Sequence, residues 1–140
     1  GTENVAGIVG IGKAIELATL NIDNYNSKLL KLRNYFINEI TTNYPQVKVN
    51  GDLKSRLPGN INISFPDIDG EELLLKLDSQ NICASAGSAC SSGSLEPSHV
   101  LMAIGLESRY AAGSLRLSLG EQNTAEEITY IINTIKRILG

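Results

Sequence analysis

At 140 residues, with 42% hydrophobic and 19% charged side chains, the sequence is sized for one globular domain around a single core rather than two. Its formal net charge of -3 comes from acidic and basic residues scattered along the chain, which leaves no extended cationic face for nucleic acid. No apolar run approaches the roughly 20 residues of a membrane-spanning helix, and the opening GTENVAGIVG lacks the basic start and long apolar stretch of a signal peptide. The expectation is a soluble cytoplasmic protein without a membrane partner. The chain starts at Gly1 without Met and passes straight into helical pattern, which suggests a piece of something longer.

From Asn4 to about Ala18, Val5, Ile8, Val9, Ile15 and Ala18 recur at three- and four-residue steps, the spacing of one helix face. Gly7, Gly10 and Gly12 each weaken such a helix by about 1 kcal/mol relative to Ala, so close packing against another backbone is the expected reason for them. A second helix runs from about Asp23 to Tyr44 on the stripe Leu29, Leu32, Phe36 and Ile40, and stops before Pro45, which cannot continue it. The period then changes to two. Val47 and Val49, then Ile61, Ile63 and Phe65, alternate with polar neighbours as half-buried strands, joined by the loop GDLKSRLPGN.

Asp69 and Glu72 have capping-box spacing ahead of Leu73, Leu74, Leu75 and Leu77, which predicts a short helix. A strand is expected from Asn81 to about Ser85, then the small-residue stretch AGSACSSGS, then a helix starting near Pro97. Leu115, Leu117 and Leu119 alternate with Arg116 and Ser118 as a last strand. Thr124 and Glu127 form another capping-box pair before Ile128, Ile131, Ile132 and Ile135. The pattern reads as α+β, a small sheet with helices packed on it.

Cys83 and Cys90 are the only cysteines, too few for a disulfide framework and expected to be reduced. Cys90 lies among small residues that offer little apolar area. Its thiol is either incidental to a surface loop or carried by that loop to a substrate, since thiolate attack needs reach as well as a suitable pKa. Cys83, in NICAS, reads as small hydrophobic filler. Six residues separate the two thiols and His99 is the only histidine, so no metal site is expected. His99 itself reads as a surface or capping residue, because no orienting partner for a thiol base is recognisable near it. Arg116, between two leucines on a strand, either points outward to solvent or grips an anion with its planar fork. Thr2 suffices as a helix N-cap, and a free helix N-terminus bearing a hydroxyl is also a ready anion site.

Taken in order, GTENVAGIVGIGKAIELA, LPGNINISF, ASAGSACSSGSLEPSHVL and SLRLSLGEQNTAEEI resemble consecutive blocks of the NifS-like and IscS-like cysteine desulfurases, fold-type I enzymes that use pyridoxal 5'-phosphate. The block around Cys90 resembles the long loop of the group I enzymes more than the shorter loop of the SufS-like group. The resemblance implies the C-terminal small domain, residues 1–140, with a mostly antiparallel sheet and helices on one side. It implies that substrate L-cysteine forms an aldimine with pyridoxal phosphate and that the Cys90 thiolate attacks the substrate sulfur. L-alanine leaves, and the Cys90 persulfide passes to a sulfur-acceptor scaffold of iron-sulfur assembly. Arg116 matches the arginine that holds the substrate carboxylate, and Thr2 the threonine that reaches the cofactor phosphate across a homodimer. Ala112 departs from relatives that carry a histidine there. The family's Schiff-base lysine, its aspartate for the pyridine nitrogen and its ring-stacking histidine have no counterpart, so the chain alone is expected to be inactive. A non-catalytic module docking on a sulfur-acceptor scaffold and a selenocysteine lyase are the alternatives.

Overall fold

The computed structural model describes residues 2–86 and 98–140. Helix α1 (Val5–Leu20) is capped by the Asn4 side chain, which accepts from the Gly7 amide, and meets α2 (Ile22–Asn43) at a bend of 65°. Strands β1 (Lys48–Val49) and β2 (Asn60–Ser64) follow, then α3 (Gly70–Asp78), α4 (His99–Ala103), α5 (Ser108–Ala112), β3 (Ser114–Ser118) and α6 (Ala125–Leu139).

The three strands form an antiparallel sheet in the order β1-β2-β3. In the β2–β3 register Ile61 pairs with Leu117 and Ile63 with Leu115, and all four are buried. Because side chains alternate across a strand, this pairing gives the sheet one wholly apolar face. Leu32, Phe36 and Ile40 of α2, Leu73 and Leu77 of α3, and Ile128, Ile132 and Ile135 of α6 join that face in one core. Each such side chain contributes about 1.5–3 kcal/mol on burial. The α2 stripe and both β alternations therefore stand as the sequence predicts.

Helix starts follow local chemistry. At α6 the Thr124 hydroxyl accepts from the Glu127 amide and the Glu127 carboxylate accepts from the Thr124 amide, a complete capping box. At α3 only half of the expected box forms. Asp69 accepts from the Glu71 and Glu72 amides, while Glu72 turns to Lys76 at 2.7 Å.

Three expectations need correction. The strand expected over residues 81–85 reduces to one bridge, Ser85 to Arg116, because the chain first folds back on α3: the Asn81 amide donates to Asp78 O and the Ile82 amide to Leu77 O. Cys83 is exposed rather than core filler, since its neighbour Ile82 turns inward. Finally, α1 buries none of its residues, and an added Cβ at Gly10 or Gly12 would meet nothing within 4 Å, so the close packing expected of these glycines is not made within the described residues. Val5, Ile8, Val9, Ile11, Ile15, Leu17 and Leu20 are each at least 55% exposed. Among the described residues no single helix is long and apolar enough to cross a membrane.

Gly113 joins α5 to β3 where the chain passes directly over the end of β2, and its carbonyl accepts from the Phe65 amide at 3.0 Å. A methyl there would be driven into the carbonyl oxygens of Phe65 and Ile68, which are backbone and cannot swing aside. Gly113→Ala is expected to destabilise the domain by about 1–3 kcal/mol or more, read as a lowered midpoint in denaturant unfolding; an unchanged midpoint would contradict this packing.

Candidate functional site

The register that makes one sheet face apolar makes the other polar. Asn60 pairs with Ser118, Asn62 with Arg116 and Ser64 with Ser114, and β1 extends the same face through Lys48, opposite Ser64. Just past β1, the Asn50 amide donates to Asn62 O at 2.9 Å, which brings Asn50 beside this row. On the far side of β3 the Ser85 amide donates to Arg116 O, and the Arg116 amide to Ser85 O at 2.7 Å. The face is graded: Ser64 and Ser114 are buried at one end, and Arg116 and Ser118 are exposed at the other.

Arg116 is fixed through its backbone amide and carbonyl, which both bond Ser85, and stands opposite Asn62 on the other flank, while its side chain is exposed. Among the described residues its guanidinium makes no ion pair or side-chain hydrogen bond. A planar donor held on a rigid strand without a carboxylate partner is suited to an incoming carboxylate. Of the two sequence readings of Arg116, outward-facing side chain and anion grip, the geometry accommodates both.

The other sequence candidates are more dispersed. Thr2 is exposed ahead of α1, and Asn4 takes the capping role at that helix. Cys90 lies outside the described residues, in the connection between the Ser85 bridge and α4. His99 is exposed at the first position of α4. No metal-binding cluster occurs among the described residues.

Sequence reasoning passed over the amides beside Arg116. Asn50, only 6% exposed, donates from Nδ2 to the Oδ1 of Asn62 at 2.7 Å and to the Oγ of Ser64 at 2.8 Å. The signal was present in NINIS, where Asn62 alternates with two isoleucines, but which residue of another strand it faces depends on register.

Other charged groups nearby are engaged or occluded. Lys48 donates to Glu107 at 3.0 Å and sits 3.9 Å over the Tyr110 ring. Its hydrogen bond and its charge hold the Glu107 carboxyl below the ordinary carboxylate value. Arg33 and Arg56 approach one another near the loop after β1, where Arg33 bonds Asn34 and Arg56 bonds Asn50 O. Burial, then the Arg33 charge, push the Arg56 guanidinium down from its usual pKa, with Asp52 opposing. Arg33 Nη1 and Arg56 Nε and Nη1 are occluded without a partner, so no ligand reaches them as the loop stands. A groove of about 310 Å³ between α2 and residues 57–60 is lined mainly by Tyr25, Leu29, Leu57, Pro58 and Leu119, and carries no charged side chain. The polar sheet face around Arg116 is the candidate site.

Comparison with known proteins gives the family. The aminotransferase class-V family model matches residues 1–131. The chain is 54% identical over 140 residues to a cysteine desulfurase IscS of Clostridium botulinum, and 50% identical over 139 residues to one of Methanosarcina thermophila, covering 99% of this chain in both cases. It covers 35% and 34% of those two proteins, so the chain spans about a third of the length of the curated relatives it matches. Among solved structures, a NifS-like protein from Rickettsia africae superposes with a TM-score of 0.84 at 34% identity, over 99% of this chain and 36% of that one. An apo cysteine desulfurase from Thermococcus onnurineus shares the fold at a TM-score of 0.74 and 18% identity, over 99% of this chain and 32% of that one.

The Asn50 bonds tie β1 to the polar face where neither Asn62 nor the buried Ser64 has much access to water. Asn50→Ala is expected to cost about 1–3 kcal/mol, the range for stranding a buried polar group. Chemical denaturation checks it, and an unchanged stability would show that the amide network is incidental.

Proposed function

Because the chain belongs to the aminotransferase class-V family, whose members use pyridoxal phosphate, we propose that residues 1–140 are the C-terminal small domain of a cysteine desulfurase. In this reading Arg116 receives the carboxylate of L-cysteine and Cys90 receives its sulfur. The observation that carries it is the Arg116 guanidinium, exposed on a polar face and unpaired among the described residues. The names of the relatives support the substrate, and their length supports a larger parent.

The chain does not by itself fit the cofactor. A pyridoxal enzyme needs a free amine for its aldehyde, and the lysine on this sheet, Lys48, is taken up by Glu107 and Tyr110. Thr2, proposed to reach the cofactor phosphate of a second subunit, has no hydrogen bond to the sheet among the described residues. We assign the cofactor-binding machinery to a large domain of the parent, and the chain alone is expected to be inactive. The exposed apolar surface of α1 is what such a domain would cover, since seven large apolar side chains left in water on one helix are otherwise costly.

The net transfer balances in a parent that supplies the cofactor, which would take up the negative charge on the substrate carbon. The Cys90 thiolate attacks the sulfur of the bound cysteine, a sulfur–sulfur bond forms and the substrate carbon–sulfur bond breaks. The electron pair of that bond stays with the carbon fragment, which is protonated to L-alanine. Cys90 is left as a persulfide for a sulfur-acceptor scaffold protein, in a homodimeric cytoplasmic enzyme. Arg116 contributes by orienting the substrate, fixing one end so that its sulfur has a defined position.

In the full-length enzyme, Cys90→Ala is expected to abolish alanine release from L-cysteine. Arg116→Ala is expected to raise KM by about tenfold or more, the scale of a lost hydrogen bond to a charged group. Alanine release by Cys90→Ala at the wild-type rate would remove the assignment.

A further inference from the structure

We propose that Asn62 is a second substrate-binding residue, donating from its side-chain Nδ2 to the same carboxylate that Arg116 holds. The inference rests on the reading of Arg116 given above and adds a residue that neither the sequence blocks nor the comparisons assign.

Three observations carry it. Asn62 and Arg116 are direct cross-strand partners on the polar face, a relation that places the two Cβ atoms roughly 4.5–5.5 Å apart. Asn62 is not free to turn arbitrarily, because its Oδ1 accepts from Asn50 Nδ2 at 2.7 Å, and Asn50 is held in turn by Ser64. With the oxygen end of the amide engaged, the nitrogen end is left as donor, and it has no partner among the described residues. Asn62 is half-buried, so this donor is only partly hydrated before a ligand arrives.

A carboxylate has two oxygens and accepts several hydrogen bonds in its plane. Arg116 alone could grip it from one edge and leave its rotation about that edge loose. A neutral amide donor from the neighbouring strand fixes the second oxygen without adding charge, and so selects an α-carboxylate over a neutral or cationic group at that position. Asn50 then acts as a positioning residue, through its hold on Asn62.

Asn62→Asp in the full-length enzyme separates binding from scaffolding. An aspartate oxygen still accepts from Asn50, so the strand contact survives, but the outward donor becomes a negative acceptor that repels the substrate carboxylate and also pairs with Arg116. The expected result is an unchanged thermal midpoint with KM for L-cysteine raised by about tenfold to a hundredfold, the range for losing one hydrogen bond to a charged group. Asn62→Ala, which removes the donor without adding charge, should raise KM less than Asn62→Asp, with kcat nearly unchanged. If Asn62→Ala keeps the wild-type KM while Arg116→Ala raises it, the second donor is refuted and the Arg116 reading stands. If neither variant changes KM, the carboxylate site itself is wrong.

Discussion

The antiparallel pairing of β2 with β3 is the constraint on which the domain depends. Setting Ile61 against Leu117 and Ile63 against Leu115 directs four side chains into the core at once, and by strand geometry it also sets Asn62 against Arg116 on the opposite face. A slip of one residue would bury the guanidinium and expose the leucines, so core and site hold each other in register. The helices add to this arrangement without determining it. α2, α3 and α6 seal the apolar side, and on the polar side the end bearing Arg116 and Ser118 is exposed among the described residues.

That division explains why a guanidinium can stand unpaired among the described residues. Burying an unpaired charge costs several kcal/mol, but Arg116 is outside the core, held by its own amide and carbonyl to Ser85 and by the strand register opposite Asn62. Its direction comes from the backbone while its donors stay available for a ligand. The neighbouring amides are held instead by side-chain bonds from Asn50, so the face is polar, ordered and carries little negative charge near the arginine.

Much of this was legible in the sequence where local rules act alone. The stripe of Leu29, Leu32, Phe36 and Ile40, the alternation at 61–65 and 115–119, and the capping box at Thr124 each depend on residues close in sequence, and each is found. Readings that depend on distant partners fared less well. α5 went unseen because five residues, SRYAA, carry too little periodicity to be read. Cys83 was placed in the core although α3 captures the amides beside it and turns Ile82 inward instead. The glycines of α1 imply a packing partner that the described residues do not supply. At the site, the strand position of Arg116 was readable, whereas its pairing with Asn62 required the register. Cys90 lies outside the described residues, and its role rests on resemblance alone.

The central claim is that an amino-acid carboxylate held on the polar sheet face presents its sulfur to Cys90. Its most direct test is peptide mass spectrometry of the full-length enzyme after a single turnover with L-cysteine, compared between wild type and Arg116→Ala. The account predicts one added sulfur atom on the peptide carrying Cys90 in the wild type, and a greatly reduced yield in the variant at subsaturating substrate. Added sulfur on Cys83 instead, or equal labelling of Cys90 in both proteins, would contradict it.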